Sequence, residues 1–300
     1  MQVLVKTMAD KVTTVSVMQA KGKRKMTMLT AYDYPTAKLF DQAKIDMLLV
    51  GDSMGNTVYG YNSTIPVTLE QTIDHCQAVA NGAKTYSLLV GDMPFLTYGI
   101  SIKQTILNAG RIIKEGKMEC VKLEGGSARV KEIEACIDIG IPVMGHLGLT
   151  PQSVNKFGGH KVQGRTAELA EFLLKEAKAL EKAGCFAIVL EAIPWQVAKV
   201  ITEKIKIPTI GIGAGVHCDA QVLVWQDALG LFDDFTPKFV KKFANLSQVI
   251  KDGVLEYKKE VESGEFPDAH AHSYSLPEEE LNKFLDNVDK KEKKKLKDFV

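Results

Sequence analysis

The chain has 300 residues, 45% of them hydrophobic, and its 38 Lys and Arg against 37 Asp and Glu leave a formal net charge of +1. That composition excludes an intrinsically disordered chain, which would be poorer in apolar residues, and a binder of nucleic-acid phosphates that relies on an overall basic excess. No apolar run approaches the roughly 18 residues that span a bilayer, so a soluble protein with small-molecule partners, no nucleic acid and no membrane is expected.

The chain order divides into an N-terminal extension over 1–12, a catalytic body over 13–267 and a charged tail over 268–300. The first 25 residues lack a continuous apolar core and a small-residue cleavage site, which argues against secretory or organellar import. From residue 26 to 232, short apolar strands alternate with helical patterns, the rhythm of a parallel sheet. Strands are expected over 26–31, 47–51, 88–91, 120–123, 143–145, 186–190, 209–211 and, least distinctly, 228–231. Helices are expected over 35–44, 69–80, 102–115, 128–139, 167–183 and 194–204, with Gly116, Gly140 and Gly184 as left-handed caps. Eight strands, nearly all uniformly apolar, fit a closed α/β (β/α)8 TIM barrel wrapped by helices; an open doubly wound sheet is the alternative.

Residues 146–165 form a long stretch without periodicity, of the kind that is functional or disordered. The tail runs from the acidic Glu278 to Glu280 into a stretch, 290–300, with six Lys against Glu292 and Asp298, and reads as a solvated helix or a disordered end. The five cysteines Cys76, Cys120, Cys136, Cys185 and Cys218 are odd in number and contain no C-x-x-C pair, so neither a disulfide framework nor a zinc knuckle is expected, and a cytoplasmic setting suits them.

Chemistry is read from where the strands stop. Successive apolar runs end at Asp52, Asp92, Glu124, His146 and Glu191. In a barrel the C-terminal strand ends meet at one mouth, so these five would face a shared cavity. Carboxylates crowded there repel one another unless a cation neutralises them, and an all-oxygen donor set favours Mg²⁺ over zinc. Asp52, Asp92 and Glu124 are the metal candidates. Lys122 lies two residues before Glu124, on the same strand face, where an ammonium could grip an anionic substrate. Glu191, left off the metal in a partly desolvated cavity, suits proton transfer. Each acid taken alone could instead cap the next helix, and His146 could equally well hydrogen-bond the adjoining loop.

Other features are less specific. Residues 211–215, Gly-Ile-Gly-Ala-Gly, do not fit a dinucleotide fingerprint and suggest close backbone approach near the mouth. Gly125-Gly126-Ser127 could bind an anion or merely start a helix. Cys218 beside His217 has no nucleophilic partner in view, and Trp195 and Trp225 read as core or interface.

The same residues resemble the ketopantoate (3-methyl-2-oxobutanoate) hydroxymethyltransferase family. The resemblance is carried by the runs at 30–34 (TAYDY), 50–55 (VGDSMG), 63–68 (STIPVT), 122–126 (KLEGG), 145–155 (GHLGLTPQSVN), 157–159 (FGG), 161–165 (KVQGR), 211–215 (GIGAG) and 261–264 (VESG), and covers about residues 12–267. It implies a (β/α)8 barrel that transfers the one-carbon unit of 5,10-methylenetetrahydrofolate to 3-methyl-2-oxobutanoate, giving 2-dehydropantoate for pantothenate synthesis. It further implies Mg²⁺ on Asp52, Asp92 and Glu124, substrate contacts from Asp52, Ser53, Asp92 and Lys122, Glu191 as proton acceptor, and a homodecamer. Two alternatives share parts of the pattern. One is a Mg²⁺-dependent lyase of the phosphoenolpyruvate mutase and isocitrate lyase type, whose Lys-Lys-Cys-Gly-His loop is absent here. The other is a non-catalytic binding barrel.

Overall fold

The structure, a computed structural model, describes residues 11–159 and 161–297, with side chains other than those of Phe157, Asp289 and residues 291–297. The first ten residues of the N-terminal extension, and most of the lysine side chains that end the tail, therefore lie outside the described residues.

Eight parallel strands close into a barrel in chain order: β1 Met26–Thr30, β2 Met47–Val50, β3 Leu88–Asp92, β4 Cys120–Glu124, β5 Val143–Gly148, β6 Ala187–Glu191, β7 Thr209–Ile212 and β8 Ala220–Leu223, with β1 hydrogen-bonded to β8. The open sheet is thereby excluded. Helices return the chain between strands: α2 Tyr34–Gln42, α3 Met54–Thr57, α4 Leu69–Gly82, α5 Ile102–Lys114, α6 Val130–Asp138, α7 Val154–Phe157, α8 Ala167–Lys182 and α9 Trp195–Lys204, preceded by α1 Thr14–Ala20. The first helix after β8 is the single turn α10, Trp225–Ala228.

Period-2 alternation sorts each strand into two sets. One set, including Met28, Leu49, Val90, Cys120, Met144, Val189, Ile210 and Val222, packs into a single buried cluster with Val17 and Ala20 of α1. The first helix thus closes the N-terminal end of the barrel; its start is fixed by a capping box between Thr13 and Ser16. The other set lies under the helices, at places so closely that only glycine fits. A Cβ on Gly91 would run into Ile112 of α5, and one on Gly145 would come within 2.7 Å of Leu180 of α8.

Two elements differ from expectation. The eighth strand lies at Ala220–Leu223 and not at 228–231, where Ala228 ends α10 and Gly230 turns with φ +67°. The true strand has only four residues, interrupted by the exposed Gln221 because no long helix follows to cover it. The 228–231 run is apolar for another reason: it follows a buried helical turn. At the helix ends, Gly140 and Gly184 take left-handed φ of +91° and +94°, but after α5 that conformation falls on Lys117 at +59°. Gly116 is instead a point of close approach, where a Cβ would come within 2.8 Å of Cys76.

The barrel belongs to a compact unit ending at Ala244. A second unit begins at Asn245 and holds α11, Leu246–Ser263, and α12, Glu278–Lys297. The body expected over 13–267 thus takes in the whole barrel together with α11. All five cysteines are buried and free. Among the described residues no helix is long and apolar enough to cross a membrane.

Candidate active site

Strand register decides what meets at the C-terminal mouth. Asp92 pairs with Lys122 across β3 and β4, Glu124 with His146 across β4 and β5, and Gly148 with Glu191 across β5 and β6. Parallel partners share a face, so Asp92, Lys122, Glu124 and His146 continue upward the inward columns whose lower layers are Val90, Cys120 and Met144. The apolar floor and the ionisable roof are consecutive layers of one core. Asp52 arrives differently. It stands two residues beyond β2 in a turn, and its backbone N–H donates to Asp92 Oδ2 at 3.3 Å.

The structure brings together the expected acids, Lys122 and His146, and leaves Ser53 beside them only as the residue after Asp52. Lys122 Nζ lies 2.8 Å from Asp92 Oδ1 and 3.5 Å from His146 Nδ1. His146 Nδ1 lies 3.6 Å from Glu124 Oε1, and its Nε2 lies 3.2 Å from Glu191 Oε2. Asp52, Asp92, Lys122, Glu124 and His146 are all buried, whereas the Glu191 side chain keeps 17% of its surface exposed. Ser53 sits at the start of α3, its hydroxyl 2.7 Å from the buried Tyr32 hydroxyl.

Three residues without an expected role complete the site. Gln152, in the 3₁₀ turn Pro151–Ser153, donates from Nε2 to Asp52 Oδ2 at 2.9 Å and to the Met93 carbonyl at 3.0 Å, and from its backbone N–H to Glu124 Oε2 at 3.2 Å. Tyr98 donates its hydroxyl hydrogen to Gln152 Oε1 at 2.7 Å and accepts from the Glu124 backbone N–H at 3.2 Å. Tyr32, bonded to Ser53, is the third. Gln152 lies within the stretch 146–165 that aperiodicity had marked. That stretch is partly ordered: residues 146–148 extend β5, and the 3₁₀ turn and α7 follow.

Electrostatics follow from burial. Desolvation raises Asp52 against the pull of Lys122, raises Asp92 to about 7, and raises Glu124 well above the ordinary carboxylate range, with Asp52 adding repulsion to both of the latter. Burial alone would lower Lys122, but Asp92, Glu124 and Asp52 outweigh it and hold the ammonium charged. Burial, then Lys122, lowers His146, leaving a neutral imidazole; with Nδ1 turned to the ammonium, its proton belongs on Nε2, toward Glu191.

Three buried carboxylates and one ammonium, fully ionised, carry −3 + 1 = −2. A divalent cation matches that deficit. Glu124 Oε1 also lacks a hydrogen-bond partner, and the donors are all oxygen. Among the described residues no three His, Cys, Asp or Glu side chains form a ready-made metal cage. Mg²⁺ does not need one, since it binds through one or two carboxylates and keeps several waters. The donor set fits that ion.

The secondary candidates are resolved by contact. Glu176 of α8 accepts the Ser127 N–H at 2.6 Å, so the turn at 125–127 is held by the chain's own carboxylate. Trp225 is buried, but Trp195 is 51% exposed and outside the core. Cys218 is buried and its thiol raised, chiefly by desolvation, which removes it as a nucleophile.

Known proteins resemble this chain over most of its length. The model of the family described as ketopantoate hydroxymethyltransferase matches residues 11–269. The 3-methyl-2-oxobutanoate hydroxymethyltransferase of Clostridioides difficile strain 630 is 54% identical over 260 residues, covering 87% of this chain and 94% of that protein. The protein of the same name from Syntrophobacter fumaroxidans is 51% identical over 284 residues, 95% of this chain and all (100%) of its own length. Among solved structures, phosphonopyruvate hydrolase matches with TM-score 0.54 at 12% identity, covering 93% of this chain and 97% of that one. A 2,3-dimethylmalate lyase of the phosphoenolpyruvate mutase and isocitrate lyase superfamily matches with TM-score 0.53 at 15% identity, covering 94% and 98%. These two share the fold.

Proposed function

The chain belongs to the ketopantoate hydroxymethyltransferase family, and from that premise we propose that it adds the one-carbon unit of 5,10-methylenetetrahydrofolate to 3-methyl-2-oxobutanoate, giving 2-dehydropantoate for pantothenate synthesis. The observation that carries this reading is the surplus of buried carboxylate over ammonium at the barrel mouth, beside a further carboxylate, Glu191, left partly open. Magnesium held by Asp52, Asp92 and Glu124, in part through the waters it keeps, would supply Lewis acidity toward the 2-oxo group and stabilise the charge that develops on its oxygen.

The chain's own groups do the rest. Lys122, charged and dry, pairs with the substrate carboxylate, and the Ser53 hydroxyl, oriented by Tyr32, adds a hydrogen bond to it. Glu191 accepts the proton from C3; the electron pair of that C–H bond becomes the new bond to the methylene carbon once one of its two C–N bonds to the folate has opened, and water then supplies the hydroxyl as the second C–N bond breaks and tetrahydrofolate leaves. The neutral His146 orients Glu191 from 3.2 Å. The apolar layer of Val90, Cys120 and Met144 keeps water from beneath the reacting carbon. The protein is read as a cytoplasmic homo-oligomer, a decamer by family resemblance; five buried, free cysteines suit that compartment.

The test is exchange of the C3 proton of 3-methyl-2-oxobutanoate with deuterated solvent, with Mg²⁺ and without folate. Glu191→Gln should slow exchange by roughly 10²- to 10⁴-fold, the usual contribution of a positioned base. Unchanged exchange would remove Glu191 from that role, and exchange that persists after chelation would remove the metal.

A further inference from the structure

We propose that α12 pairs antiparallel with the α12 of a second copy of this chain, closing its apolar stripe against the same stripe and setting the acidic half of each helix beside the lysine-rich half of the other. Nothing in the chemistry at the barrel mouth calls on this helix: the family model stops at residue 269, and α12 begins at Glu278.

Over the 20 residues of α12, Leu281, Phe284, Leu285 and Val288 recur at the i, i+3, i+4, i+7 spacing that gathers them on one helical face. Each is exposed, from 36% at Val288 to 57% at Phe284. In proteins a helix draws most of its stability from packing such a face, so this one calls for a partner. The neighbouring α11 lies in the same unit and also keeps apolar side chains open, Val254 and Leu255 among them. Its charges, however, pair along their own helix, Lys259 with Glu256 at 3.1 Å and Lys258 with Glu262 at 3.7 Å, so it presents no segregated charge to match.

Charge selects a second α12. From 278 to 289 the helix carries five acids against Lys283 alone, and from 290 to 297 six lysines against Glu292 alone. Lys283 is already engaged, by Glu279 at 2.7 Å and Glu280 at 2.9 Å. The helix dipole favours acids at the start and cations at the end, but only within the first and last turns. It does not account for Asp286 and Asp289, or for lysines that begin at 290. Parallel copies would set acid on acid and lysine on lysine. Antiparallel copies with their stripes in register place position 281 opposite 288 and 284 opposite 285; Glu278 then falls opposite Lys291, Glu279 opposite Lys290 and Lys283 opposite Asp286, and of the charged positions between them only Glu280 meets its like, Asp289. An anionic surface, lipid or nucleic acid, would be repelled by the acidic half, which is the half that bears the stripe.

The full chain carrying Glu278→Cys and Lys291→Cys is oxidised and its disulfides are mapped by peptide mass. The five native thiols are buried. The two new positions stand about 20 Å apart along one helix at 1.5 Å per residue, too far to join within it. Antiparallel pairing should give disulfides between position 278 of one chain and 291 of another, in a yield that falls as salt rises. Products joining 278 to 278 and 291 to 291 would mean parallel pairing, and no inter-chain product would mean that copies do not meet here; either overturns the proposal. In the same background Phe284→Asp should cut the yield roughly tenfold or more, since the burial of a phenyl ring is lost, whereas Phe284→Leu should keep it. A yield that Phe284→Asp leaves intact would mark random collision of tails. Retention of the full chain on phosphatidylserine vesicles or duplex DNA that Phe284→Asp abolishes would give the stripe to another surface. Both results would also overturn the pairing.

Discussion

Gln152 joins the aspartate after β2 to the glutamate at the end of β4, and Tyr98 secures its third side-chain bond. Neither residue reaches the reacting carbon in the proposed chemistry; they hold two of the acids that would bind the metal. Replacing Gln152 with Leu leaves Asp52 Oδ2, the Met93 carbonyl and the Tyr98 hydroxyl without their partners, a costly state for buried polar groups. Mg²⁺ affinity measured by calorimetry should fall about 10- to 100-fold, as when other outer-shell partners of a metal are lost, and Gln152→Glu should not restore it, since a fourth carboxylate would join the cluster. An unchanged affinity would show that the acids orient themselves. The acids were legible in the sequence because strand ends are linear features: an apolar run stops and a charge follows. Gln152 was not, because it sits 100 positions from Asp52 and approaches from a turn with no period to read.

Among elements, the barrel is governed by how closely helices press on its outer face. The collision a Cβ at Gly91 would make with Ile112 means that α5 rests on the strand backbone itself, immediately before Asp92. Gly91→Val should destabilise the fold by about 1–3 kcal/mol, as overpacking does, and should lower Mg²⁺ affinity in whatever fraction remains folded, because the displaced strand carries Asp92. Denaturant unfolding with and without the metal separates the two effects. Seven strands could be read from sequence as short, mainly apolar runs spaced by helical patterns, β1 among them although its Thr27 is exposed. The eighth could not: β8 lacks a covering helix, so its outward Gln221 is free to be polar, and the stronger apolar signal belongs to the turn after α10. The short α1 was also unread, being about two turns of helix with no strand before it.

For the molecule as a whole, the mouth acts as a destabilising charge store until something neutral or cationic relieves it. Asp92 is raised to about 7 in the folded state, above the ordinary value of 3.8. The folded chain therefore holds a proton that the unfolded chain releases, and this contribution to stability is lost as pH climbs from about 4 to about 7, then levels off. Mg²⁺ displaces that proton, so the increase in Tm on adding the metal should be larger at pH 8 than at pH 5.5. Equal increases at both pH values would place the metal elsewhere.

The helix that closes the N-terminal end makes the barrel a vessel with one door. Val17 and Ala20 seal the floor, while exposure rises from Asp92 and His146, almost wholly covered, to Glu191, whose side chain keeps 17% of its surface exposed. Whatever sits above Glu191 stands in the path of whatever sits on the buried acids. On the proposed chemistry the keto acid lies deeper than the donor of the one-carbon unit, so it should enter first and its product should leave last. Steady-state kinetics should show a compulsory order, with tetrahydrofolate released first and 2-dehydropantoate competing only with the keto acid; random-order patterns would mean a second way in.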